Sequence, residues 1–66
     1  MAGPIERVWR RMKTNATKRK TAITALEAES TILKLCRQEQ ALVPTSEALG
    51  YLTAEFVRMS VERTGD

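Results

Sequence analysis

Sixty-six residues make at most one small domain, and a chain of this size buries a low fraction of its surface unless a staple, a metal or a partner helps. There is no histidine and a single cysteine, Cys36, which excludes an intramolecular disulfide and argues against a zinc site built by this chain. Charge is unevenly divided: residues 1 to 20 carry seven basic residues against one acid, a balance of +6, and residues 21 to 66 carry four against seven, a balance of −3.

The chain opens with "MAGPIERVWRRMK", which lacks the apolar core of a secretory signal, although its arginines would also suit a transit peptide. Gly3-Pro4 is a helix start, because proline is pre-shaped for the first helical position and has no N–H to leave unpaired. At about 100° per residue, Ile5, Val8, Trp9, Met12, Ala16, Ile23 and Leu26 fall on one face. Arg7, Arg10, Arg11 and Lys18 fall opposite, with Lys13, Arg19 and Lys20 at the flanks.

The phase of the apolar pattern then changes. Ala25, Ala28, Ile32, Leu35 and Cys36 form a second stripe, rotated by roughly half a turn from the first. Two explanations compete. The helix breaks near 14–17, where Thr14, Asn15 and Thr17 are weak helix formers and Asn15 could cap a new start. Alternatively, one long helix over about 4–41 meets two different neighbours along its length. The shift falls at residue 25, well past the weak stretch, which favours the long helix.

Pro44 disfavours helical geometry at Val43, so the first helix ends before it. "PTSE" then opens a second helix over about 45–63, with small hydroxyl residues able to cap and Glu47 in the first turn. Leu49, Leu52, Phe56 and Met59 form its stripe, bordered by Ala48 and Ser60. Gly50, inside this helix, either permits close approach of a partner helix or is merely tolerated. Gly65 is the natural stop.

The expected fold is therefore all-α, one domain over 1–66: a basic helical arm (1–20) and an antiparallel hairpin core (21–66). The 25–36 stripe packs on the 49–59 stripe, and Leu42 and Val43 close the end. The face from Ile5 to Leu26, Trp9 included, is left with nothing in this chain to cover it, and an exposed stripe of that size marks an interface. Ile5, Val8, Trp9, Met12, Ala16, Ile23 and Leu26 are thus the expected contacts of a homo-oligomer.

Catalysis finds no support. There is no glycine-rich phosphate loop and no carboxylate cluster at metal-ligand spacing, and Cys36 lies on an apolar face where a thiol is a small core residue. No enzyme activity and no cofactor are expected. Arg7, Arg10, Arg11, Lys13, Lys18, Arg19 and Lys20 are the candidate phosphate contacts. The competing readings are contact with an acidic protein partner and plain solvation. No apolar run approaches the roughly 20 residues that cross a bilayer, so no membrane contact and a cytoplasmic location are expected.

"TALEAESTILKLCRQEQALVPTSEALGYLTAEFVR" resembles the central region of phage terminase small subunits, where a charged helix leads through a Leu/Ile-Val-Pro turn to an acidic helix start. The matching residues are Leu26, Glu27, Ala28, Glu29, Leu33, Lys34, Leu35, Arg37, Leu42, Val43, Pro44 and Glu47. The resemblance implies a role in viral DNA packaging. In that role a ring-forming recognition protein binds DNA and hands it to a larger motor subunit, inside a bacterial host cell. Family members usually carry an N-terminal helix-turn-helix and a C-terminal motor-binding segment, and this sequence has neither pattern. "LVPTSEALGYLTAEFVRMSVE" is also similar, more weakly, to the start of the central helix in small histone-fold proteins of the centromere and DNA-repair type. That implies instead a partner subunit in a DNA-associated complex; a protein-interaction module, its basic arm docked on an acidic partner, is a separate alternative.

Overall fold

The computed structural model describes residues 3 to 64, and the expected stop at Gly65 lies outside them. It contains three helices in chain order: α1 (Pro4–Lys18), α2 (Ala25–Gln38) and α3 (Ser46–Thr64), with no strand among the described residues. The all-α expectation holds. The single long helix does not. A helix over 4–41 would be about 57 Å long at 1.5 Å per residue, whereas the longest dimension of the molecule is 33 Å.

The break falls a few residues beyond the weak helix formers. α1 runs through Thr14 and Thr17, whose hydroxyls donate to the Arg10 and Thr14 carbonyls at 3.1 and 2.9 Å. Such back-bonding competes with the helix ladder. Helix α1 stops one residue after Thr17, and Arg19 turns to an extended backbone. The restart is set by Thr24. Its Oγ1 accepts from the Glu27 N–H at 3.2 Å, and the Glu27 carboxylate accepts from the Thr24 N–H in return. This reciprocal box satisfies two otherwise orphaned donors at the helix start.

At the other end, α2 closes before the proline can act. The Gln40 N–H donates to the Arg37 carbonyl at 3.2 Å and the Ala41 N–H to the Cys36 carbonyl at 2.9 Å, with Gln40 at φ 56°. This is the Schellman arrangement, with glutamine in the left-handed position that glycine usually fills. α3 begins where expected. Thr45 Oγ1 accepts from the Ala48 N–H at 3.2 Å, so Thr45 caps the helix that Pro44 precedes.

Because the chain turns at 19–24, each helix touches the other two. One core forms from Val8, Met12 and Ala16 of α1, Ile23 of the turn, Ala28, Ile32, Leu35 and Cys36 of α2, and Phe56 of α3. Trp9, Leu49, Leu52, Val57 and Met59 are half-buried against it. The expectation that the α1 stripe lacks cover within the chain is therefore corrected. Val8, Met12, Ala16 and Ile23 are buried by α2 and α3, because the break lets α1 fold back where a continuous helix could not. Of the seven residues assigned to an oligomer contact, Trp9 is half-buried, and only Ile5 and Leu26 are exposed, Leu26 by 79%. Leu42 and Val43 do not close the core either, being 92% and 70% exposed.

The turn is pinned to α3 by a buried hydrogen bond. The Ile23 N–H donates to Ser60 Oγ at 3.0 Å, and Ser60 Oγ donates to the Val57 carbonyl at 2.8 Å. Ser60 is fully buried, and the bond it accepts from Ile23 lies out of water.

A candidate phosphate-binding groove on the outer face of α1

The fold that buries one face of α1 turns the opposite face outward, beside the C-terminal end of α2. Arg7, Arg10, Arg11, Thr14, Asn15 and Lys18 line a groove there of about 490 Å³, closed on the α2 side by Leu35 and Glu39. Of the seven basic residues singled out from the sequence, the groove brings together four: Arg7, Arg10, Arg11 and Lys18. Lys13 and Lys20 are exposed outside it. Arg19 is half-buried in the turn, its Nε donating to the Thr21 carbonyl at 3.3 Å.

The charge line from Arg7 to Lys18 is about 16 Å long at helical rise. Over that length, duplex DNA presents about ten phosphate charges, and a single strand about five. Thr14 and Asn15 add neutral hydrogen-bonding groups between the cations.

Glu39 is the groove residue that sequence reasoning missed. Arg7 Nε donates to its Oε1 at 2.9 Å and Arg11 Nε donates to its Oε2, so one carboxylate joins two successive turns of α1 to the end of α2. The hydrogen bond from Arg7 is the main influence holding the Glu39 carboxyl below the usual glutamate range. Desolvation opposes it, and the bond from Arg11 adds to it. A second charge cluster lies on α3, where Arg58 donates to Glu55 and to Glu62, each at 2.7 Å. There the Arg58 hydrogen bond holds the Glu55 carboxyl low.

A second concavity, about 670 Å³, is apolar. Pro4, Ile5, Ala41, Leu42, Val43, Pro44, Ala48, Tyr51 and Leu52 line it, with Gln40 and Thr45 as its polar members. It gathers four of the large exposed hydrophobic residues, Ile5, Leu42, Val43 and Tyr51, onto one patch.

Cys36 lies inside the core, and burial pushes its thiol pKa up, which leaves it protonated near neutrality. Among the described residues no cluster of His, Cys, Asp or Glu comes together as a metal cage. No helix among them is long and apolar enough to cross a membrane. Comparisons with protein-family models, with curated proteins and with solved structures find no match to this chain.

Proposed function

We propose that this chain is a non-enzymatic DNA-binding protein that takes the phosphate backbone along the outer face of α1. The observation that carries the reading is the convergence of Arg7, Arg10, Arg11 and Lys18 on one groove, with Lys13 and Lys20 exposed nearby. Phosphate contacts of this kind position a protein without reading sequence, so binding tolerant of DNA sequence is expected. The test is the affinity for a 20-base-pair duplex measured by fluorescence anisotropy across a salt series. Four phosphate contacts among these six cations give a log–log slope of about −4. An affinity that does not change with salt removes the reading.

Within that function, the terminase-like residues of α2, the Leu42-Val43-Pro44 turn and Glu47 support a viral DNA-packaging role beside a larger motor subunit. Homo-oligomerisation, which the resemblance also implies, then uses the exposed patch of Ile5, Leu42, Val43 and Tyr51 in place of the buried α1 stripe. Light scattering tests this: the wild type has a multiple of the 7.4 kDa chain mass, and Leu42→Asp/Val43→Asp reduces it to one chain. A wild-type monomer that stays monomeric on DNA removes the assembly.

The same apolar patch favours a second reading, a protein-interaction module or histone-fold-like partner subunit in a DNA-associated complex. A DNA affinity no greater than that for an unrelated polyanion, together with a monomeric mass, selects it over the first.

A further inference from the structure

Glu39 ends α2, where the helix dipole disfavours an acid. Local structure therefore gives no reason for a carboxylate at this position, and its two partners on α1 do. Each oxygen accepts one guanidinium, Arg7 on Oε1 at 2.9 Å and Arg11 on Oε2, and the side chain is only 10% exposed. A carboxylate held in this way reproduces the charge and two acceptor oxygens that a backbone phosphate would offer the same arginines.

We infer that Glu39 is a built-in phosphate substitute that limits the affinity of the α1 groove for nucleic acid. It keeps Arg7 and Arg11 on itself, so that bound DNA is held by Arg10, Lys13, Lys18 and Lys20. This rests on the reading of the groove as a phosphate site and specifies how that site is regulated.

The test compares Glu39→Gln with Glu29→Gln, which removes the same charge from an exposed position on the same helix, using the 20-base-pair duplex across a salt series. Glu39→Gln removes the charged acceptor that Arg7 and Arg11 share, so both pair more strongly with phosphate. Its salt slope steepens by about 2, and its affinity near 0.1 M salt rises on the order of 10-fold or more. Glu29→Gln leaves the slope where it was. Glu39→Asp keeps the charge but is one methylene too short to hold both guanidiniums, so its slope steepens by about 1, and this variant decides the matter should Glu39→Gln fail to fold.

Equal behaviour of Glu39→Gln and Glu29→Gln overturns the inference, as does a Glu39→Asp slope equal to that of the wild type. If wild-type binding is salt-dependent in either of those cases, the phosphate groove itself still stands. Absence of salt-dependent binding in both the wild type and Glu39→Gln overturns the inference and the groove together.

Discussion

The two faces of α1 share one backbone and are put to opposite uses. The inner face, Val8, Met12 and Ala16, is sealed by α2 and α3. The outer face, Arg7, Arg11 and Lys18, lies in the groove beside Glu39. Apolar burial on the inner face is worth whole kilocalories per side chain and holds the molecule together. Exposed charges contribute little to folding, and those that Glu39 does not hold are left to act on other molecules. Fold and function should therefore separate by mutation along a single helix.

The strongest way to break the inner face is from across the core. Phe56 is the largest fully buried side chain, and Phe56→Ala is expected to cost about 3–5 kcal/mol. That is comparable with the entire stability of a chain this small. Loss of cooperative thermal unfolding by circular dichroism, with helix content reduced, is the predicted result. Ser60→Ala attacks the turn that lets α1 fold back. It leaves the Ile23 N–H buried without its acceptor, and chemical denaturation should show a loss of about 1–3 kcal/mol.

Substitution at Gly50 acts in the opposite direction. A methyl group there meets nothing within 4 Å, so close approach of another helix of this chain is not what the glycine serves. Gly50→Ala should stabilise α3 by up to about 1 kcal/mol, read as a rise in denaturation midpoint with DNA affinity unchanged.

The smallest effect is the pH dependence at Glu39. Its folded pKa lies below the ordinary 4.5, so its contribution to stability is fully present above that pH. It is lost as pH falls through the folded value. Thermal unfolding of the wild type and of Glu39→Gln should therefore differ by a constant amount above pH 5 and converge in stronger acid.

Much of this organisation is legible in the sequence. The all-helical class, the start of α3 at "PTSE" and the separation of cationic and apolar faces on α1 follow from periodicity and capping alone. The break is not legible at Thr14, Asn15 and Thr17: these weak helix formers lie well short of the phase change at residue 25, so the pattern favours one continuous helix. The signal that marks it is "TALE", Thr24 to Glu27, an N-terminal capping box just before the second stripe. That one turn decided whether α1 covers the core or lacks cover, and so which residues were expected at an interface. The end of α2 was less legible, since it depends on Gln40 taking the left-handed conformation that sequence rules reserve for glycine or asparagine. Glu39 could not be read at all. Its partners lie 28 and 32 residues away, and only tertiary folding brings them together.

Whether the outer face of α1 acts on phosphates while the inner face holds the fold is decided by Arg10→Gln/Lys18→Gln. The measurement is duplex affinity near 0.1 M salt, paired with the denaturation midpoint. A loss of affinity on the order of 10- to 100-fold and a salt slope shallower by about 2 are expected, with stability unchanged within about 0.5 kcal/mol. Wild-type affinity in this variant would contradict a phosphate-binding outer face.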